Sequence, residues 1–195
     1  MLTTNNIRRR FDRLCTPYND PMALVIFLRS INVGGYRTFR PSILAIQLKD
    51  YGVVNIGAAG TFVVRRPISK MRLCSELLRN LPFEAEVMTC TGQELIAAAS
   101  ANPFDDELLR SEIVRFVSVL AKPPQVPASI PIRIPEKGKW LVKVLAVHNR
   151  FLFGIYRREM KAISALGKLD KLFGVSVTTR NWNTVRAILK LLEKS

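Results

Sequence analysis

An α+β fold in two small subdomains is the class this chain predicts, and three observations carry that prediction. Strand-like apolar runs alternate with helical periods in both halves of the chain. A chain of 195 residues, 48% of them hydrophobic, is long enough to bury a substantial core without disulfides or a structural metal. The segment Asn102-Pro103-Phe104-Asp105-Asp106 interrupts the alternation and sets a boundary between residues 21–105 and 106–195, with 1–20 left as a flexible basic arm.

The first subdomain is organised around Ala23 to Gly35. Ala23 to Ile31 is an apolar, β-branched run of the kind that forms a buried central strand, and it stops on Arg29, Asn32, Gly34 and Gly35. Arg40-Pro41-Ser42 starts a helix with proline at its first position, and Gly52 stops it. Val53 to Ile56 and Thr61 to Arg65 form a hairpin around Gly57-Ala58-Ala59-Gly60. Ile68 to Leu81 follows a helical period through Met71, Leu77, Leu78 and Leu81; Phe83 to Thr89 is the next strand. Thr91 and Glu94 open a further helix as a capping box. This βαββαβ order, with one added helix, predicts a ferredoxin-like subdomain.

The second subdomain begins with a strand over Glu112 to Leu120. Lys122 to Glu136 holds Pro123, Pro124, Pro127, Pro131 and Pro135, so it cannot pair centrally in a sheet and is expected as an exposed, partly extended connection. Trp140 to Val147 and Phe151 to Tyr156 make a second hairpin across His148-Asn149-Arg150. Alternation sets Phe151, Phe153 and Ile155 on one face of a half-buried strand. Met160 to Phe173 reads as one helix closed by Gly174, Val175 to Thr179 as the last strand, and Trp182 to Lys194 as the last helix. The expectation is a mixed sheet with helices on one face.

Charge narrows the partners. Thirty Lys and Arg against 15 Asp and Glu give a net +15, and such a field attracts nucleic acid and other polyanions. Residues 106–195 hold 17 basic and 7 acidic side chains, against 9 and 6 in residues 21–105. The longest near-continuous apolar run, Met22 to Leu28, falls far short of the roughly 20 residues of a membrane helix, so no membrane span is expected. Cys15, Cys74 and Cys90 show no metal-ligand or paired spacing; this sparse set and the absence of a secretory signal fit a reducing, cytoplasmic setting.

Two fragments together, Phe27-Leu28-Arg29-Ser30-Ile31-Asn32-Val33-Gly34-Gly35 and Thr178-Thr179-Arg180-Asn181-Trp182-Asn183-Thr184, resemble the signatures of the domain of unknown function 1697 family. The intervening Asn102-Pro103-Phe104 also fits, and the resemblance spans about residues 22 to 192. It implies an α+β protein of two small subdomains and brings no assigned activity. This chain departs from the family pattern in three places. Ser30 stands where a glycine is usual, Ala59-Gly60-Thr61 stands where Ser-Gly-Asn is usual, and Pro41 lies close to the place of an expected methionine.

The candidate anion-binding region is built from the two polar segments. Arg29 and Asn32 close a buried strand, the edge where open α/β sheets place ligands, and Gly34 and Gly35 admit close approach to the backbone. Thr179, Arg180 and Asn181 precede the last helix, whose free amides and positive dipole end favour an anion. The bland alternative is that Arg29 pairs with a carboxylate, Asn181 caps the helix and Trp182 packs in the core. Lys143, Arg150, Arg157 and Arg158 lie among aromatic residues on the second hairpin and are the nucleic-acid candidates, although no RNP signature accompanies them. No catalytic set emerges, because His148 is the only histidine and reads as a turn residue. No metal site and no cofactor are predicted, and whether the chain is an enzyme is left open. The leading reading is binding of a phosphate-bearing partner, nucleic acid foremost. An enzyme acting on a phosphorylated small molecule and a module docking an acidic protein are the alternatives.

Overall fold

Six residues of the leading apolar run, Leu24–Arg29, form the strand β1, and Val25, Ile26, Phe27 and Leu28 are wholly buried. The computed structural model describes residues 23–29, 39–101, 104, 111–124 and 129–194. The basic arm, Ser30, Asn32, Gly34, Gly35, Cys15 and the acidic stretch 105–107 lie outside the described residues. The chain is an α+β protein with two antiparallel sheets, and it divides into two compact units, Met1–Thr89 and Cys90–Ser195.

In the first unit β1 is followed by the helix α1 (Pro41–Gln47) and a 3-10 turn at Lys49–Tyr51. Gly52 ends this pair of turns with a φ of 65°, a left-handed conformation that glycine takes without strain. The strands β2 (Val53–Asn55) and β3 (Thr61–Val64), the helix α2 (Lys70–Arg79) and the strand β4 (Glu86–Thr91) complete the set. The strand order is β2-β3-β1-β4, with β3 antiparallel to both β1 and β2. The Gly60 carbonyl accepts from the Leu28 amide at 2.8 Å, which ties the hairpin turn to the end of β1.

One face of this sheet presents Ile26, Leu28, Phe62 and Val64 to Leu44 of α1, to Leu48 just after it, and to Leu73 and Leu77 of α2. Each such side chain contributes about 1.5–3 kcal/mol of burial. Met71, assigned by its period to the buried stripe, is instead 63% exposed, and Leu73, Cys74 and Leu77 form that stripe. At roughly 100° per residue, Met71 falls on the far side of the helix from Leu73 and Leu77.

The helix α3 (Gly92–Ser100) opens with the expected capping box: the Thr91 hydroxyl accepts from the Glu94 amide at 3.1 Å, and the Glu94 carboxylate accepts from the Thr91 amide at 2.7 Å. It lies within the unit Cys90–Ser195 and packs against the last helix. The strands β5 (Ile113–Leu120), β6 (Ile132–Ile134), β7 (Val142–His148) and β8 (Phe151–Arg157) follow, then the helices α4 (Met160–Leu166) and α5 (Leu169–Phe173), the strand β9 (Val177–Asn181) and the helix α6 (Trp182–Leu192). The single helix expected over Met160 to Phe173 is thus two, parted at Gly167 and Lys168, where glycine is a poor helix former.

The second sheet has the order β6-β7-β8-β5-β9, and every neighbouring pair is antiparallel. The mixed sheet expected from sequence is corrected by one insertion. The α4–α5 crossover carries β8 to a parallel β9, but β5 lies between them and is antiparallel to both. The three residues of β6, flanked by Pro131 and Pro135, take the sheet edge, where missing amide donors are tolerated.

Helices also cover both faces, not one. Phe116, Leu120, Val142, Val144 and Leu152 pack with Ala165, Leu169 and Phe173 of α4 and α5. Phe153 points to the opposite face by strand alternation and meets Trp182 of α6 at 6.4 Å between ring centres. This is why β8, expected half-buried, is buried from Phe151 through Ile155.

Candidate functional site

The strand β9 ends and α6 begins at a single residue. Asn181 still pairs with Phe116 of β5, yet its extended backbone (φ −61°, ψ 143°) already caps the helix. Its Oδ1 accepts from the Asn183 amide at 2.8 Å, a cap worth about 1 kcal/mol. The first turn of α6 carries no acidic residue, so the positive end of the helix dipole is not offset from within the helix.

Two further elements converge on this corner. The β5–β8 register sets Val114 opposite Tyr156 and Arg115 opposite Ile155. The chain leaving β8 is tied back when the Arg158 amide donates to the Glu112 carbonyl at 2.8 Å. The result is a cleft of about 360 Å³. It is lined by the polar residues Arg115, Arg158, Asn181, Asn183 and Arg186 and by the apolar residues Ile113, Val114 and Trp182.

The arginines that line the cleft differ in their engagement. Arg115 donates to the Phe104 carbonyl at 3.2 Å and lies over the Phe104 ring at 5.2 Å. Phe104 also meets Trp182 at 5.1 Å, so the aromatic contacts fix both the tryptophan and the arginine. Arg158 and Arg186 are exposed and form no side-chain hydrogen bond or ion pair among the described residues. Glu159, next in sequence to Arg158, is instead bonded to Lys139 at 2.8 Å; that bond is the main reason its carboxyl lies below the usual range. Burial raises the Tyr156 hydroxyl above its ordinary value, and the charge of Arg158 partly opposes this.

Of the residues singled out from sequence, Asn181 and Arg158 line this cleft. Arg180, one residue away, is turned inward. It is 6% exposed, and its Nη1 donates to Thr178 Oγ1 at 2.9 Å and to the Thr179 carbonyl at 2.8 Å. Burial pushes it down to about 10, so it remains a cation at neutral pH, held within the fold. The Thr179 hydroxyl bonds Ser118 at 2.7 Å across the β5–β9 pair. Arg29 belongs to the first unit, where it is paired with Glu86 at 3.2 Å; Asn32, Gly34 and Gly35 lie outside the described residues.

The hairpin cations divide similarly. Lys143 and Arg157 lie against the Trp140 ring at 5.0 and 4.5 Å, and Arg157 Nε donates to the Trp140 carbonyl at 3.0 Å. Arg150 is half-buried, and its carbonyl accepts from the Leu120 amide at 2.9 Å. Sequence reasoning missed Arg115 and Arg186. Arg186 carried a signal, since it lies one helical turn beyond Trp182 and three residues beyond Asn183, on the turns next to the cap. Arg115 carried none, because its place depends on the pairing of β5.

Among the described residues no group of three or more His, Cys, Asp or Glu side chains is placed to hold a metal ion. Among them, too, no helix is long and apolar enough to cross a membrane.

Comparison with known proteins shows the fold and the family. The structure of the conserved bacterial protein SP0830 from Streptococcus pneumoniae superposes with a TM-score of 0.55 at 15% identity, covering 88% of this chain and 98% of that one. An unknown protein from Galdieria sulphuraria, 12% identical over 82% of this chain and 98% of its own, gives a TM-score of 0.24, too low to support any argument. No curated protein matches. The family model of the protein of unknown function DUF1697 matches residues 22–146, and the Thr178 to Thr184 segment lies beyond that span. By this match over most of its length, the chain belongs to the DUF1697 family.

Proposed function

We propose that this protein binds a phosphate-bearing partner, nucleic acid foremost, through the cleft at the start of α6. The observation that carries the reading is the pair Arg158 and Arg186, exposed and without a carboxylate partner among the described residues, beside the first turn of an eleven-residue helix, a turn that holds no acidic residue. A helix N-terminus offers amide donors and a positive dipole end, and guanidinium forks match phosphate oxygens in pairs. The net charge of +15 supplies the long-range attraction.

Two finer parts of the reading go with it. The βαββαβ order and the β2-β3-β1-β4 sheet support a ferredoxin-like first unit. The buried free thiols of Cys74 and Cys90 support a reducing, cytoplasmic setting. An enzyme acting on a phosphorylated small molecule is the second reading. The cleft volume favours it, since about 360 Å³ falls within the range of small-ligand sites.

A salt titration with labelled mixed-sequence single strands tests the proposal. Log K should fall with log salt by about 0.7 for each phosphate neutralised. The double variant Arg158→Ala/Arg186→Ala should bind every sequence more weakly and with a shallower slope. Binding that is absent at physiological salt, or unchanged in the double variant, overturns it.

A further inference from the structure

Resting on that reading, we infer that the cleft takes a phosphomonoester dianion, such as the terminal phosphate of a nucleic-acid strand, in preference to an internal phosphodiester. Charge is the first argument. Arg158 and Arg186 bring two guanidinium charges with no carboxylate partner among the described residues. A monoester near neutral pH carries close to two negative charges and a diester only one.

Oxygen count is the second argument. A monoester presents three non-bridging oxygens, enough to engage two guanidinium forks and an amide of the α6 first turn together. A diester presents two. Size is the third. The cleft, about 360 Å³, is of the size that takes a small group, and Ile113, Val114 and Trp182 are among the residues that line it. These apolar lining residues suit the sugar or base attached to a terminal phosphate, and an indole is a sequence-tolerant surface for a base.

The test compares short single strands of one sequence that differ only in carrying a 5′-phosphate or a 5′-hydroxyl, measured by fluorescence anisotropy at physiological salt. The phosphorylated strand should bind about tenfold more tightly. Arg186→Ala and Arg158→Ala should each erase most of that ratio, while Lys190→Ala, an exposed change of equal charge on the last turn of α6, should preserve it. The ratio should also shrink as pH falls through about 6, where the monoester becomes a monoanion while the arginines stay charged. A nucleoside 5′-monophosphate added as competitor identifies the source of the monoester. Full competition assigns the cleft to free nucleotides, and partial competition to strand ends; either keeps the inference.

Equal binding of both strands, lost in both arginine variants, overturns the monoester preference and leaves the binding reading standing. A preference that survives both variants shows that the end is read elsewhere and also overturns it. Binding unaffected by either variant removes the functional reading together with the inference.

Discussion

Arg180 shows how much one side chain's environment changes its role. Its folded proton affinity is pushed down to about 10, below the ordinary guanidinium range, because burial disfavours the charged form. At neutral pH the folded and unfolded chains both carry the charge, so its burial is a standing cost. Above pH 10 the unfolded chain holds the extra proton, so this contribution turns more favourable as pH rises through that value. The bonds to Thr178 Oγ1 and the Thr179 carbonyl offset the cost. Thr178→Val, nearly isosteric and compatible with a strand, removes one acceptor from a buried cation. It should cost about 2 kcal/mol in urea denaturation and leave ligand binding at the cleft unchanged. A cost below about 0.5 kcal/mol in that experiment would show that this bond is not what holds the guanidinium.

At the scale of elements, the centre of β8 is where sheet geometry leaves least room. A Cβ built at Gly154 would lie against the Lys143 carbonyl oxygen of β7 and within 2.6 Å of Phe116 Cζ on β5. Backbone on one side and a fully buried ring on the other cannot both give way. Gly154→Ala should therefore destabilise the protein by about 3 kcal/mol, the upper end for overpacking, measurable as a lower urea midpoint. Gly138, in the loop before β7, has open space around its Cβ position but a φ of 80°. The two glycines are required for different reasons, close approach in one and backbone conformation in the other.

For the whole molecule, the governing quantity is the field of a chain with net charge +15, concentrated in residues 106–195. A field steers encounter, whereas a cleft sets residence time, and the two separate kinetically. Neutralising the exposed Lys168, Lys171 and Lys190 together should slow nucleic-acid association several-fold at low salt and leave the dissociation rate nearly unchanged. Losing Arg158 or Arg186 should instead speed dissociation. Stopped-flow association and dissociation traces distinguish the two, and a slower association seen only with the arginine variants would contradict this division.

Local chemistry carried most of the elements from sequence alone. The run at Val25 to Leu28, the Thr91 and Glu94 cap, the Gly52 and Gly174 stops and the Asn181 cap each rest on a propensity or hydrogen bond that spans only a few residues. Pairing between distant strands was not legible in the same way. No local pattern states that β5 inserts between β8 and β9, and that one choice makes the sheet antiparallel, buries β8 on both faces and turns Arg180 inward while bringing Arg115 and Arg158 to the start of α6. The sequence determined which residues were candidates for binding an anion; the order of strands in the second sheet decided which of them share a cleft, because side chains alternate between faces and their neighbours are set by partners far away in the chain.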